Sequence, residues 1–155
     1  MHPTRDAVDL NQRRQMAMRA LAHAQMADMK RLVAEAGLSV ESEPLRGPET
    51  GLVTVRGRIG GGGSPFNSGE ATVARATVKL LSGEIGHAYQ LGRDTEKARL
   101  SATLDALMQR EVVRQTVEER VIKPLVLIQQ QAADQKRAET AATKVDFFTM
   151  VRGED

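Results

Sequence analysis

The sequence contains no cysteine and few aromatic residues: three Phe, one Tyr and no Trp among 155 residues. Without cysteine, this chain can form no disulfide and can supply neither a thiolate nucleophile nor an iron–sulfur ligand. With so few aromatic rings, the core must be built from Leu, Val, Ile, Ala and Met. Phe147 and Phe148 nevertheless lie among the last ten residues. We expect such an apolar tail to be buried against another surface.

A dominant charge and long apolar runs are also missing. Lys and Arg number 22 against 20 Asp and Glu, a net charge of +2, which is too small for the basic footprint of a nucleic-acid-binding protein. No stretch approaches the roughly 18 apolar residues of a membrane span, and the first residues lack the apolar core of a secretory signal. The sequence therefore predicts a cytoplasmic protein with neither a membrane nor a nucleic-acid partner.

The length predicts a single domain over residues 1–155, in which roughly 70% of the unfolded surface becomes buried. Apolar residues at helical intervals predict one long or two short helices over residues 10–36, with Gly37 as the C-terminal cap. The opposite end, residues 145–153, is predicted to be an apolar tail.

A second helical region is predicted over residues 94–143. Asp94 is placed to cap its first turn through a side-chain oxygen. Pro124 has no backbone N–H, so a bend or restart is expected near Lys123. From Gln129 onward the region is polar and rich in alanine, which is typical of a solvated helical arm.

Residues 38–92 are rich in glycine and in β-branched side chains at near-alternating positions, which predicts an antiparallel β meander. Its predicted turns are Gly47-Pro48, the glycine loop after Ile59, and Ser82-Gly83. The predicted strands are Leu38–Leu45, Gly51–Ile59, Glu70–Leu81 and Glu84–Leu91. The predicted fold class is α+β, with an antiparallel four-stranded sheet flanked by N-terminal and C-terminal helices and a C-terminal tail that docks on a partner.

The glycine loop, GGGGS at residues 60–64, is the most flexible stretch by composition. Its backbone amides could cradle a phosphate, but the loop matches neither common phosphate-binding pattern and a strand follows it instead of a helix. We therefore favour a mobile loop, which a partner subunit or a ligand could order by packing against it. Gly60, Gly61 and Gly63 are its candidate interface or anion-binding residues.

Basic residues recur in the two middle predicted strands, at Arg56, Arg58, Arg75 and Lys79. Residues two apart in a strand share a face, so pairing of these strands across the glycine loop would make one sheet face basic. An ordinary solvated face is the favoured explanation of this pattern. Carboxylates of a partner or phosphates of a substrate are the alternative, because adjacent like charges repel one another unless they are neutralised. Arg93, just after the last predicted strand, is a further candidate.

No catalytic constellation is evident in the sequence. His87 and Tyr89 alternate with Ile85 and Leu91, so these side chains are predicted to share one strand face. This favours a packed, hydrogen-bonded His87 over an acid–base catalyst. The three histidines are scattered, so no metal-ligand spacing arises and no metal site is predicted. Asp105 and Glu111 lie on a predicted helix, where helix caps and charge pairs explain them better than a catalytic carboxylate pair. No catalytic residue is assigned.

Four sequence motifs together resemble the PhnG family, the G subunit of the bacterial carbon–phosphorus lyase complex. The resemblance extends from Glu49 to Gly153. The motifs are ETGLV at 49–53, RIGG at 58–61 with Gly63, GEATVAR at 69–75 and DFFTMVRG at 146–153, supported by GRD at 92–94 and DALMQ at 105–109.

This resemblance implies a role in alkylphosphonate breakdown. In that family the G subunit works with the H, I and L subunits, and an alkylphosphonate displaces adenine from MgATP to give ribose 1-alkylphosphonate 5-triphosphate. The G subunit assembles with the H, I and J subunits into a core. The resemblance implies that this chain is a required, non-catalytic part that binds no cofactor alone, with MgATP as a substrate of the complex.

The tail is predicted to dock on a partner subunit or on this chain's own core, through Phe147, Phe148, Met150 and Arg152. Two other functions remain open. A stand-alone nucleotide-dependent transferase would use the glycine loop and would bind MgATP by itself. A nucleic-acid binder would use the basic strands, but it fits least well because the aromatic residues that stack on bases are nearly absent.

Overall fold

The computed structural model describes residues 5–60 and 62–142. Within these ranges an antiparallel sheet and a set of helices form an α+β fold, as predicted. The helices are α1 (Arg5–His23), α2 (Met26–Glu35), α3 (Thr95–Leu107), α4 (Glu111–Val117), a π-helical segment (Glu118–Ile122) and α5 (Lys123–Ala142). The strands are β1 (Glu43–Arg58), β2 (Pro65–Lys79) and β3 (Ile85–Leu91). The predicted docking tail lies outside the described residues.

Two short helices form the N-terminal region, one of the two arrangements predicted. α2 ends in a Schellman motif, in which the Gly37 amide donates to the Ala34 carbonyl at 3.0 Å and the Leu38 amide to the Val33 carbonyl at 3.3 Å. Gly37 adopts a φ of +64°, a conformation that glycine reaches without steric cost. The predicted cap is confirmed.

Among residues 5–60 and 62–142 the sheet has three strands in the order β1-β2-β3, so the prediction of four was wrong. Gly47-Pro48 does not reverse the chain but lies inside β1. Arg46 pairs with Thr77 and Glu49 with Arg75, so three steps along β1 match two along β2 and the extra residue forms a bulge. Proline is tolerated here because β1 is an edge strand. The predicted strand residues Leu38–Ser42 precede β1 without strand structure.

α3 lies between the sheet and the other helices, and nearly all of its last two turns are buried. Its Ala98 and Ala102 pack against small residues of β2 and β3, while Leu104 and Leu107 belong to the helical core. The predicted N-cap is confirmed, because an Asp94 carboxylate oxygen accepts from the Lys97 amide at 2.8 Å. The small residues allow the helix to approach the strands closely.

The approach is closest at Gly86 in β3. A β-carbon at this position would lie 1.9 Å from the Ala102 carbonyl oxygen and 2.6 Å from the Ala106 amide nitrogen. Both are backbone atoms of a buried helix, so they cannot move aside as the end of a flexible side chain can. The contact requires glycine at this position for steric reasons.

The predicted helix break near Lys123 occurs as a π-helical segment that ends at Ile122, with α5 beginning at Lys123. A π turn shifts the hydrogen-bond register, which accommodates Pro124 and its missing N–H. Beyond Gln129 the described part of α5 is exposed on all sides, as expected for a solvated arm. None of the helices in the described part of the chain has the length and apolarity needed to span a bilayer.

One buried ion pair joins α1 to α3. The Arg14 guanidinium donates Nε–H and Nη2–H to the two carboxylate oxygens of Asp105, each at 2.8 Å. Asp105 is 4% exposed, and it also accepts from the His87 backbone amide at 2.9 Å. The hydrogen bonds with Asp105 raise the pKa of Arg14 above its ordinary value. A single carboxylate thus connects α1, α3 and β3.

Candidate interaction surface

β1 and β2 extend well beyond the rest of the sheet. β3 pairs with β2 only from Val73 to Lys79, so residues 52–58 and 65–72 form a two-stranded ribbon, here called the arm. None of the arm residues is buried. A two-stranded ribbon alone is marginally stable in water, so the arm is suited to packing against another molecule.

The strand register defines which side chains face away from α3. Gly51 pairs with Val73, Val53 with Ala71 and Val55 with Gly69, so these residues share one face. The alternate residues of β2, such as Ala74 and Ala76, pack against α3 instead. The first set therefore lies on the side of the sheet that faces away from α3, here called the outer face, where Val73 is nevertheless buried.

The distal half of the outer face, which is the half nearer the glycine loop, is apolar. Leu91 is 75% exposed, with Val55 and Phe66 also exposed. Tyr89, 59% exposed, lies opposite Arg75 at the boundary with the polar half. The Phe66 ring lies over Gly57, 3.6 Å from where a β-carbon would be. An antiparallel sheet that keeps one face in water normally presents polar side chains there, so these apolar side chains mark an interaction site.

The proximal half of the outer face is polar. Glu49 accepts hydrogen bonds from Arg75 at 2.8 Å and from Arg46 at 3.0 Å. These two bonds, that of Arg46 first, lower the pKa of Glu49. The Thr77 hydroxyl lies 3.1 Å from His87 Nδ1. His87 is hydrogen-bonded as predicted and shares a face with its apolar neighbours, but that face is exposed, so the histidine is not packed in a core.

The predicted basic face does not form. By alternation along β1, Arg56 and Arg58 point to the opposite side of the arm from Val55, while Arg75 lies on the outer face. Arg58 pairs with Pro65, whereas Arg75 pairs with Glu49, and nine strand residues span about 30 Å. Arg75 already has Glu49 as a carboxylate partner. These arginines of one chain therefore cannot hold a single triphosphate together.

The glycine loop forms the tip of the arm. Gly60 has a φ of +60° and the Gly63 amide donates to the Ile59 carbonyl at 3.1 Å. Arg58 Nη1 donates to the Gly63 carbonyl at 3.4 Å. Gly61 lies outside the described residues. A strand follows the tip, so no helix N-terminus adds a favourable field for an anion.

The remaining candidates lie apart from the arm tip. Arg93 is exposed between β3 and α3. An open groove of about 400 Å³ separates α2 from α3, and at its rim Lys30 bonds to Glu96 at 3.1 Å. Among the described residues, no group of three His, Asp or Glu side chains could hold a metal ion.

The alternation of β3 is predictable from the sequence, but the exposure of the resulting face is not. The spacing of Ile85, His87, Tyr89 and Leu91 correctly predicts a shared face. Only the strand order and the position of α3 reveal that this face is uncovered. The ion pair of Asp105 was also missed, because its partner Arg14 lies 91 residues away in the sequence.

Two comparisons with known proteins agree with the family resemblance. Residues 12–153 match the family described as "Phosphonate metabolism protein PhnG". The chain is 52% identical over 153 residues to the "Alpha-D-ribose 1-methylphosphonate 5-triphosphate synthase subunit PhnG" of Rhizobium meliloti (strain 1021). That alignment covers 98% of this chain and 96% of the relative.

Proposed function

Since the chain belongs to the PhnG family, we propose that it is a cytoplasmic, non-catalytic subunit of a ribose 1-methylphosphonate 5-triphosphate synthase. In the reaction proposed for the complex, a phosphonate oxygen bonds to C1′ of MgATP while the bond from C1′ to adenine breaks. Adenine leaves, and the triphosphate stays on the ribose. We propose partner subunits of the H, I and J types in the core, with the L type acting alongside.

The observation that carries this proposal is the full-length match to a synthase subunit. The structure supports an assembly role through the bare outer face and the arm. The distal outer face presents several large apolar side chains to solvent, and such a surface is suited to burial by a partner. No observation favours the stand-alone transferase that would use the glycine loop.

Reconstitution tests the proposed function. The H, I and L subunits of the same source should release adenine from MgATP and methylphosphonate only when this chain is added. The isolated chain, titrated with MgATP in a calorimeter, is expected to show no saturable binding. Saturable binding by the chain alone would support the transferase instead, and adenine release without the chain would contradict a required role.

We expect Leu91→Asp on the outer face to weaken assembly by about 30-fold or more. Loss of a buried interface anchor typically costs about 2 kcal/mol. The free chain should keep its thermal stability, because substitutions at exposed positions usually change stability by about 0.5 kcal/mol or less. Val112→Asp is the matched control, since Val112 is 90% exposed but lies on α4, away from the sheet. Equal affinities of the two variants for the partner subunits would contradict a docking role for the outer face.

The tail remains a predicted docking element. Burial of Phe147 and Phe148 would contribute about 2 kcal/mol each, so truncation after Lys144 should abolish co-purification with the partner subunits. The double substitution Phe147→Ser and Phe148→Ser should reproduce the loss without shortening the chain, whereas Thr149→Ser should leave co-purification intact. Normal stoichiometry with the truncated chain would show that the tail does not anchor the subunit.

A further inference from the structure

We propose that the free edge of β1 between Thr50 and Arg58 binds an extended, acidic segment of another synthase subunit as an added β-strand. This inference rests on the proposed function, because it assigns one surface of the subunit to one kind of partner. It concerns the edge of the arm and is independent of the outer face, where a second contact could form.

β1 is an edge strand, since the sheet order is β1-β2-β3. Three hydrogen bonds show where its backbone groups point. The Thr72 carbonyl accepts from the Gly92 amide, and the Leu80 amide donates to the Glu84 carbonyl, so even-numbered residues of β2 point toward β3. The Val55 carbonyl accepts from the Ser68 hydroxyl, which places odd-numbered residues of β1 toward β2.

The even-numbered residues of this part of β1 therefore point away from the sheet. They are Thr50, Leu52, Thr54 and Arg56. Their outward backbone N–H and C=O groups have no protein partner within residues 5–60 and 62–142. A row of such groups is a template for strand addition, in which main-chain hydrogen bonds provide affinity.

The proximal half of β1, residues 43–49, and its distal half, residues 50–58, differ in how they are protected against strand addition. The proximal half contains Pro44, Pro48 and two register shifts, which are common devices that prevent edge pairing. The distal half has no proline, and its one register shift, between Val55 and Arg56, places the extra residue Ser68 on β2, so β1 itself stays regular. Its β-branched residues Val53, Thr54 and Val55 favour the extended conformation. Only the distal half is open to a partner strand.

The positive charges at this edge of β1 favour an acidic partner. Arg56 and Arg58 lie at the open end of this edge, whereas Glu70 is the single carboxylate among the arm residues. Antiparallel pairing of two copies around Thr54 would place Arg56 opposite Leu52 of the second copy and Arg58 opposite Thr50, so neither arginine would gain a carboxylate partner. A partner segment that carries Asp or Glu opposite these arginines would form charge-assisted pairs with them.

Residue-resolved hydrogen exchange of the reconstituted complex tests the proposal. The amides of Leu52, Thr54 and Arg56 should exchange rapidly in the free chain and about 100-fold more slowly in the complex. The amide of Val53, which points toward β2, should already exchange more slowly than these three in the free chain. An intact complex that supports adenine release but leaves the even-numbered amides fast would overturn strand addition while leaving the proposed function standing. Failure to assemble at all would instead contradict the proposed function.

Substitution of Thr54 separates the backbone from the side chain. Thr54→Pro removes one outward N–H and should weaken assembly at least about 10-fold, since that N–H makes no bond inside the free chain. Thr54→Val keeps the N–H and should assemble normally. Equal assembly by the two variants would overturn the proposal.

Charge reversal provides a second test that preserves the backbone. Arg56→Glu combined with Arg58→Glu should weaken assembly at least about 10-fold at low salt and less at high salt. Lys136→Glu, at an exposed position on α5 away from the sheet, should have little effect. Unchanged affinity of the double variant would overturn the acidic partner. Dimerisation of the isolated chain with slow exchange at the even-numbered amides would show that a second copy occupies the edge instead.

Discussion

Replacement of Gly86 by alanine should destabilise the fold by about 3 kcal/mol or more. Overpacking a core typically costs about 1 to 3 kcal/mol, and here the nearest atom is the Ala102 carbonyl oxygen, 1.9 Å from the new β-carbon. To relieve the contact, α3 must move away from β2 and β3. That movement would loosen the packing of the small residues on both sides, Ala76 and Ala98 among them.

Urea unfolding of the isolated chain measures this effect, with Gly69→Ala as the matched control. Gly69 also lies in a strand, but no heavy atom lies within 4 Å of the place that its β-carbon would occupy, so alanine there should change stability by about 0.5 kcal/mol or less. A second substitution, Ala106→Gly, should not rescue Gly86→Ala, because the contact with the Ala102 carbonyl remains. Equal unfolding midpoints for the two alanine variants would contradict the steric role of Gly86.

Local signals in the sequence predicted the helix caps and the helix break well. Gly37, Asp94 and Pro124 each act within one helical turn, through a left-handed cap, a side-chain hydrogen bond and a missing N–H respectively. The information that fixes such features lies within a few neighbouring residues. These features therefore followed from the sequence alone.

The strand count failed because Gly47-Pro48 has two compatible outcomes. The dipeptide favours a turn locally, but β2 is long enough to pair on both sides of it, and a bulge keeps the strand continuous. Which outcome forms depends on the partner strand, which local patterns do not show. The prediction that Arg56, Arg58 and Arg75 share a sheet face failed for a similar reason. The register between two strands, and not the spacing along one strand, decides which residues meet.

The candidate surface was predictable only in part. Alternation in β3 correctly placed Tyr89 and Leu91 on one face, but alternation alone does not say whether a helix covers that face. α3 covers the other side, where Ala88 contacts the small residues of β2. The glycine loop was correctly placed between two strands, and its ordering by a partner remains a prediction.

We expect Asp105→Ala to cost about 3 kcal/mol of stability. Asp105 is buried and accepts hydrogen bonds from both the Arg14 guanidinium and the His87 amide. Removing one partner of a buried pair leaves the other charge without compensation, at a cost of about 3 to 5 kcal/mol. The lower end applies because the Arg14 side chain is 25% exposed and can regain some water.

Thermal and urea unfolding should place Asp105→Ala far below Asp134→Ala, the control at an exposed ion pair. Asp134 accepts from Arg137 at 3.4 Å, with both side chains exposed, and such surface pairs contribute about 1 kcal/mol or less. Arg14→Met combined with Asp105→Asn should lose less than the sum of the two single losses, because the two residues share one interaction. Additive losses would show that the carboxylate acts mainly through the His87 amide. A cost below about 1 kcal/mol for Asp105→Ala would show that α1 is held to α3 by apolar packing alone.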